Sequence, residues 1–349
     1  MIRDGSLTSH YGFELPPDRI AQTPSEQRGG SRLMVVDRTT GEILHRQFAD
    51  VAELIPAGDA IVLNTTKVFR ARLRGKRDNG ADAEVLLLRA LGDARYEAMV
   101  HPGGKLKPGR RVTISPDLQV EIESTTERRT RIVRLESGLP LDDAIEKYGH
   151  VPLPPYIMRE DAQADRERYQ TVYAEQAGSV AAPTAGLHFT PDMLDKLSAR
   201  GVRRANILLH VGAGTFRPVE AEDPDEHVMH EESFSLSNEA AETLNGVRAS
   251  GGKIWAVGTT TVRTLESAFG PDGGLRPMSG ETRIFIRPPY AFRAVDRLFT
   301  NFHLPHSTLI MLVAAFAGYD LTMRAYDEAI AAGYRFYSYG DAMLVTGDP

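Results

Sequence analysis

Residues 69–135 alternate apolar and polar side chains with a period of two, and this stretch constrains the fold more than any other. Because successive side chains of a strand point to opposite faces, the alternation predicts strands with one buried face. Six such segments, at 69–75, 84–88, 95–100, 112–114, 120–122 and 130–135, are separated by Gly, Pro and Asp turns. Six short strands joined in this way predict a small antiparallel β-barrel.

The sequence on either side of this barrel alternates between strand-like and helix-like segments. Residues 33–48 predict a hairpin, 60–63 a buried strand, 281–287 a further strand, and 165–173, 190–201, 237–247 and 308–317 helices. The chain has 349 residues, and cores usually split beyond roughly 250–300 residues. We therefore predict an α/β main domain, residues 1–66 and 150–349, with the barrel inserted at residues 67–149.

Charge is distributed unevenly between these two parts. Residues 67–134 contain 16 Lys and Arg against 9 Asp and Glu, a net charge of +7, although the whole chain carries −6. This asymmetry indicates a basic module on an acidic body, as in proteins that bind nucleic acid through one domain. A solvated strand surface explains the charge equally well.

Absent sequence features exclude several classes of protein. The chain contains no cysteine, which excludes disulfides, thiolate nucleophiles, thiolate zinc sites and cysteine-held iron–sulfur clusters. It also lacks a run of about 20 apolar residues that would span a membrane, and residues 1–5 do not begin a secretory signal. We therefore expect a cytoplasmic protein without a membrane span.

Residues 208–232 contain three histidines and seven carboxylates, and they follow a strand-like run that ends in Gly-Ala-Gly. Gly212 and Gly214 suggest a dinucleotide-binding loop, but Arg217 occupies the position of the third glycine and Pro218 would interrupt the following helix. The glycines therefore favour close approach to some other ligand.

Two of these histidines, His227 and His230, are spaced to share one face of a helix. This spacing suggests zinc ligands, but a third ligand at metalloprotease spacing is missing from the sequence. Acid–base catalysis by an imidazole beside a carboxylate is a second interpretation, and histidines that only cap a helix are a third.

Two other segments have the composition of ligand sites. Residues 179–189 place small side chains and Gly186 before His188, which permits close backbone approach, although a histidine in a packed core explains the same residues. Gly258 is followed by three threonines at a predicted helix start, where free N–H groups would bind a carboxylate or phosphate. Ordinary helix capping explains this pattern too.

Nine segments in order along the chain resemble one known family. They are FELPPDRIAQTP, GHVPLPPYI, DRERYQTVY, AAPTAGLHFT, LLHVGAGTFRPV, HVMHEE, VGTTTVRTLES, TNFHLPHSTLIMLVAAFAG and YRFYSYGDAM. Together they are similar to the S-adenosylmethionine:tRNA ribosyltransferase-isomerases of queuosine biosynthesis. Gly103, Gly104, Pro289 and His306 depart from the common pattern of that family, which puts local tRNA contacts in doubt.

The resemblance implies an α/β fold, a three-layer α/β/α main domain with an inserted small antiparallel β-barrel. It implies transfer and isomerisation of the S-adenosylmethionine ribosyl group onto the aminomethyl group of 7-aminomethyl-7-deazaguanine at the tRNA wobble position, giving epoxyqueuosine-tRNA, adenine and methionine. S-adenosylmethionine is then a co-substrate, with no prosthetic group and no metal. The expected partner is the anticodon arm of tRNA with a GUN anticodon, bound by a monomer. An S-adenosylmethionine-dependent RNA methyltransferase and a non-catalytic RNA-binding protein remain alternatives.

The resemblance also orders the candidate site residues. We expect the catalytic groups to be His210, His227, His230 and Glu232. We expect substrate to be bound by Thr184, Gly186, His188, Gly212, Gly214, Thr215, Gly258, Thr259, Thr260, Arg263, Asn301, His303 and Ser307. On the barrel, we expect tRNA phosphates to contact Arg70, Arg72, Arg74, Lys105, Lys107, Arg110 and Arg111.

Overall fold

The computed structural model describes residues 3–212 and 218–348, in which strands and helices alternate outside one all-β region. The strands are β1 (Arg32–Asp37), β2 (Ile43–Gln47), β3 (Ala60–Asn64), β4 (Thr66–Val68), β5 (Arg72–Arg77), β6 (Asp82–Gly92), β7 (Arg95–His101), β8 (Arg111–Ser115), β9 (Leu118–Thr125), β10 (Arg131–Ser137), β11 (Gln176–Ser179), β12 (Arg203–Leu209), β13 (Glu232–Leu236), β14 (Ile254–Val257), β15 (Met278–Thr282), β16 (Arg297–Asn301) and β17 (Ala342–Thr346). The helices are α1 (Val51–Leu54), α2 (Leu141–Tyr148), α3 (Asp165–Arg168), α4 (Pro191–Ala199), α5 (Asn238–Ala249), α6 (Thr259–Ser267), α7 (Thr308–Ala317) and α8 (Tyr319–Ala331).

Nine strands form the main sheet, in the order β15-β13-β12-β3-β14-β16-β17-β1-β2. Its centre is parallel, because β12 and β14 both pair in parallel with β3, and β16 pairs in parallel with β14. All five residues of β3 are buried, as expected of a strand that is covered on both faces.

Helices cover both faces of this sheet. On one side Ala60 and Val62 of β3 join a core that includes residues of α5, α6, α7 and α8. On the other side Ile61 and Leu63 join a core that includes residues of α1 and α4. The structure thus confirms the predicted three-layer α/β/α main domain.

Local sequence signals explain where two of these helices begin. Thr190 caps α4, since its Oγ1 accepts a hydrogen bond from the backbone N of Met193 at 3.2 Å. Ser307 caps α7 in the same way, accepting from the backbone N of Ile310 at 3.3 Å. The observed helices α4 and α7 therefore lie close to the predicted bounds, 190–201 and 308–317.

Six antiparallel strands close into a barrel in the order β10-β7-β6-β5-β8-β9, which confirms the predicted inserted barrel. Alternate residues fill its interior, among them Leu73, Val85, Val120 and Val133. Helix α2 packs against this core through Ala144. The barrel strands lie between residues 72 and 137, and the domain boundaries at 67 and 149 stay a prediction.

Three local expectations differ from the structure. The strand expected at 281–287 lies earlier in the chain, as β15 at Met278–Thr282. Just after this strand, Thr282 Oγ1 accepts a hydrogen bond from the backbone N of Ile284 at 3.2 Å. The helix expected at 165–173 is the single turn α3. His227 and His230 do not share a helix, because the 3-10 turn Pro224–Glu226 ends before His227 and residues 227–231 form no helix ahead of β13.

Among the described residues, no single helix is long and apolar enough to cross a membrane. The consecutive helices α7 and α8 meet the length and composition criteria only as a pair, and they are bent by 115°.

Candidate functional site

The candidate site lies where the central parallel strands end. β3, β12, β14 and β16 finish at Asn64, Leu209, Val257 and Asn301, and their carboxyl ends meet at one edge of the sheet. β12 lies on one side of β3 in the sheet, and β14, which comes later in the chain, lies on the other side. Such a switch point opens a crevice, where α/β proteins commonly bind ligands.

A small cavity of about 60 Å³ occupies this crevice. The structure brings seven predicted substrate-binding residues to its wall, Thr184, Gly258, Thr259, Thr260, Asn301, His303 and Ser307. Gly258 has a φ of 89° immediately before α6, a conformation that favours glycine. The wall is therefore rich in hydroxyl and amide groups beside a helix N-terminus.

Four polar residues of the same cavity, Tyr156, Thr300, Tyr337 and Ser338, were not predicted from the sequence. Tyr156 Oη and Ser338 Oγ form a hydrogen bond of 2.6 Å. Both residues belong to segments that carry the family resemblance, but neither segment has a local pattern that indicates a ligand.

Two buried histidines support this cavity. His303 lines it and its Nε2 lies 2.7 Å from Thr300 Oγ1, whereas His188 stands behind it, between Ser31 Oγ at 2.7 Å and Asn301 Nδ2 at 3.3 Å. Burial lowers the pKa of His188 to about 4 and that of His303 to about 3. Both rings are therefore neutral near pH 7, where they orient neighbouring groups.

Gly186 is explained by packing instead of by ligand approach. A Cβ at this position would lie 2.1 Å from Tyr173 Oη, closer than any real contact. Its neighbour in the same turn, Thr184, reaches the cavity and donates to Asn301 Oδ1 at 2.8 Å.

A second cavity, of about 300 Å³, brings together four predicted site residues. They are His227, His230, Glu232 and Arg263. Leu309, at the start of α7, lines both cavities, so the two cavities are neighbours. The imidazole of His227 packs on the ring of Phe285, with 5.6 Å between centroids, and burial lowers the pKa of His227.

A buried ion pair forms the floor of the second cavity. Arg263 Nη1 donates to Glu232 Oε2, and the two side chains are only 8% and 5% exposed. The backbone N of Gly212 donates to Glu232 Oε1 at 3.3 Å. Burial lowers the pKa of Arg263 to about 10, and its Nη2 has no hydrogen-bond partner within the described ranges. A ligand acceptor in the cavity would satisfy that N–H group.

His210 stands at the end of β12, beside Val211 of the first cavity. Its Nδ1 lies 2.8 Å from Thr66 Oγ1, which in turn donates to Ser179 Oγ at 2.8 Å. Ser179 Oγ accepts from the backbone N of Val211 at 2.7 Å. Burial lowers the pKa of His210, and this network orients its ring. Two other predicted residues of the same loop, Gly214 and Thr215, lie outside the described residues.

Asn64 holds the strand ends together and was not predicted as a site residue. Its Nδ2 donates to Leu209 O at 3.0 Å and to Thr260 Oγ1 at 3.2 Å. Its Oδ1 accepts from Leu209 N at 3.1 Å and from Thr66 N at 3.2 Å. A fully buried amide at the end of an apolar strand was the available signal, because buried polar groups require partners.

The predicted tRNA-binding residues separate into two groups. Arg70, Arg72 and Arg74 form ion pairs with carboxylates, Arg70 with Glu146 at 3.2 Å and Arg72 with Glu84 at 3.3 Å. The second group surrounds a depression of about 310 Å³ on the barrel, lined by Arg77, Asp78, Asn79, Lys105, Leu106, Arg110 and Arg111. Lys107 is exposed on the same loop.

Within residues 3–212 and 218–348, no group of three or more His, Asp or Glu side chains is arranged to hold a metal ion.

Fold and site together define a two-domain α/β protein, with ligand cavities at the ends of parallel strands and a basic inserted barrel. The family described as Queuosine biosynthesis protein matches residues 8–345. The S-adenosylmethionine:tRNA ribosyltransferase-isomerase of Syntrophomonas wolfei is 52% identical over 340 residues, which cover 97% of this chain and 96% of that protein. The protein of the same name from Symbiobacterium thermophilum is 52% identical over 339 residues, covering 97% and 99%.

A solved structure agrees with these relatives. The crystal structure of S-adenosylmethionine tRNA ribosyltransferase from Thermotoga maritima is 39% identical, with a TM-score of 0.55, and the match covers 96% of this chain and 99% of that one. The chain belongs to the S-adenosylmethionine:tRNA ribosyltransferase-isomerase family of queuosine biosynthesis. It is an enzyme of the transferase and isomerase class, as the sequence motifs predicted.

Proposed function

We propose that this enzyme transfers the ribosyl group of S-adenosylmethionine to the aminomethyl group of 7-aminomethyl-7-deazaguanine at the wobble position of tRNA. The ribose is isomerised to the epoxycyclopentane of epoxyqueuosine, and adenine and methionine are released. The observation that carries the proposal is the pair of neighbouring cavities that share Leu309, one lined by hydroxyls and the other by His227, His230, Glu232 and Arg263.

The reaction requires several proton transfers. The sulfonium acidifies the adjacent ribose carbon, so a base is needed there, a donor is needed at the departing adenine, and the attacking amine must lose a proton. We assign these roles jointly to His210, His227, His230 and Glu232. The lowered pKa of His227 leaves its imidazole neutral near pH 7 and able to accept a proton.

The first cavity suits the amino-acid end of S-adenosylmethionine. Gly258, Thr259 and Thr260 stand at the N-terminus of α6, where the helix dipole favours a carboxylate. Arg263, one turn further on, faces the second cavity and pairs with Glu232. We therefore assign the methionine carboxylate to the helix N-terminus and give Arg263 the role of holding Glu232.

The basic barrel supplies a surface for the anticodon arm of tRNA with a GUN anticodon. Lys105, Arg110 and Arg111 line its depression and Lys107 is exposed on the same loop, and their positive charge attracts phosphates without reading sequence. Arg70, Arg72, Arg74 and Arg111 are paired with carboxylates, and they contribute where RNA phosphates replace those partners. A monomer without a metal or prosthetic group stays the expected form of the enzyme.

One assay tests the reaction. The protein is incubated with S-adenosylmethionine and an anticodon stem-loop that carries 7-aminomethyl-7-deazaguanine, and the products are separated by chromatography. We expect adenine and methionine. S-adenosylhomocysteine would instead indicate a methyltransferase, and RNA binding without any product would indicate a non-catalytic binding protein.

The variant His230→Ala tests the catalytic assignment. We expect it to lower the rate of adenine release far more than the affinity for the stem-loop, because His230 lines the cavity instead of the basic surface. Small and equal losses of both would contradict the assignment.

A further inference from the structure

The barrel and the main domain are bridged by salt bridges beside the second cavity. The turn between β9 and β10 carries Arg128, whose Nη2 donates to Glu231 Oε2 at 3.3 Å. Glu231 Oε1 accepts from Arg283, which follows β15. A second bridge joins Arg89 of β6 to Glu281 of β15 at 3.3 Å. Two hairpins of the barrel thus reach the edge strand of the main sheet.

This bridge adjoins the second cavity through the chain neighbours of its residues, and this position is called the rim. In the chain, Glu231 stands between His230 and Glu232, and Arg283 precedes Ile284. His230, Glu232 and Ile284 line the cavity. The pairing of β13 with β15 places Glu232 opposite Thr282, which brings Glu231 and Arg283 together at the rim. An RNA strand whose wobble nucleotide enters the cavity would therefore pass this group of charges.

The arginines at the rim outnumber the carboxylate that pairs with them, so a further anion would be attracted there. One carboxylate, Glu231, serves two guanidinium groups, and the side chains of Arg128 and Arg283 are 56% and 59% exposed. Exposed ion pairs are weak, whereas a guanidinium binds a phosphate through two parallel hydrogen bonds. A phosphate would therefore replace Glu231 readily.

We infer that Arg128 and Arg283 form a phosphate site for the RNA backbone next to the modified nucleotide, and that Glu231 occupies this site until RNA binds. The inference rests on the proposed RNA substrate. Arg128 comes from the barrel and Arg283 from the main domain, so a phosphate between them holds the RNA across both domains at the mouth of the cavity.

Replacing the arginines and replacing the carboxylate should have opposite effects on RNA binding if the bridge is a phosphate site, and the same effect if the bridge is only structural. Dissociation constants for the anticodon stem-loop are measured at several salt concentrations in the wild type, Arg128→Ala, Arg283→Ala and Glu231→Gln. We expect each arginine variant to bind RNA several-fold more weakly and to lose about one from the slope of log affinity against log salt. Glu231→Gln should bind RNA more tightly, because a competing anion has been removed.

The controls separate this inference from the proposed function. Lys76→Ala removes an exposed barrel cation that pairs with Asp82 at 2.6 Å, and it should change RNA affinity less than either arginine variant. S-adenosylmethionine binding, measured without RNA by equilibrium dialysis, should stay unchanged in all variants. If Glu231→Gln weakens RNA binding as Arg128→Ala does, or if the arginine variants match the wild type, the phosphate site is wrong while the proposed function stands. If the wild type neither binds the stem-loop nor releases adenine, both are wrong.

Discussion

The buried ion pair between Glu232 and Arg263 allows the sharpest test of the second cavity. Burial lowers the pKa of Arg263 from 12.5 to about 10. At about 1.4 kcal/mol for each factor of ten in proton affinity, this corresponds to a desolvation penalty of about 3 kcal/mol for the charged guanidinium. Glu232→Gln removes the carboxylate that pairs with this guanidinium and leaves the charge buried without it. We expect it to lower the free energy of unfolding by about 3–5 kcal/mol, as when one partner of a buried pair is lost.

Three further variants show whether the loss of stability comes from an unpaired buried charge. Arg263→Gln should destabilise the protein by a similar amount, because it leaves Glu232 buried without this partner. The double variant Glu232→Gln, Arg263→Gln should be less destabilised than the two losses together, by about 1–3 kcal/mol, since no unpaired charge remains. Arg276→Gln, which breaks an exposed pair with Asp272 at 3.1 Å, should change stability by less than about 1 kcal/mol.

Urea unfolding followed by circular dichroism measures all four variants, and adenine release measures their activity. The double variant should regain part of its stability but not its activity, because the cavity has lost both charged groups. Stability losses that simply add would contradict the ion-pair argument. Wild-type stability in Glu232→Gln would contradict the desolvation penalty.

Three further predictions follow from buried and exposed polar groups. Asn64→Ala should lower the free energy of unfolding by about 2–4 kcal/mol, because it removes the partners of backbone groups in β12 and β4. Asn206→Ala, whose side chain accepts a hydrogen bond from Arg204 at the surface, should cost less than about 1 kcal/mol on urea unfolding. The pKa of His303 is about 3 in the folded protein and near 6.5 in the unfolded protein, so the unfolded state binds more protons as pH falls below 6.5. Between pH 7 and 5, the free energy of unfolding of the wild type should drop by about 2 kcal/mol more than that of His303→Asn. An equal drop in both proteins would refute a buried neutral ring. Reversing two barrel charges, in Lys105→Glu with Arg110→Glu, should weaken tRNA binding and flatten its salt dependence, and an unchanged slope in a filter-binding titration would refute the phosphate surface.

Local patterns predicted most of the architecture. The period-two alternation of residues 69–135 identified the six barrel strands, because a closed barrel buries every second residue of each strand. Thr190 and Pro191 identified the start of α4, since capping acts within one helical turn. The prediction failed at residues 227–230, where the spacing of two histidines suggested a helix and the structure has none. Histidine spacing reports a shared face only if a helix is already present.

The candidate site could be predicted only in part. The motifs around Gly258, Asn301 and His303 indicated ligand-binding residues, and the structure places all three at one cavity. The position of Asn64 at the end of an apolar strand indicated a buried amide, but its partners were not predictable, because they lie on β12 and α6, about 145 and 196 residues further along the chain.

The amino-acid sequence by itself determined the barrel, the capped helices and the family, since period, capping and motifs are properties of neighbouring residues. Only the tertiary structure decided which charges meet. It paired Arg263 with Glu232 inside the second cavity and Arg128 of the barrel with Glu231 at its rim. Such pairs depend on strand order and on how the barrel docks, because segments about 30 to 100 residues apart must be brought within a few ångströms, and no local pattern encodes that distance.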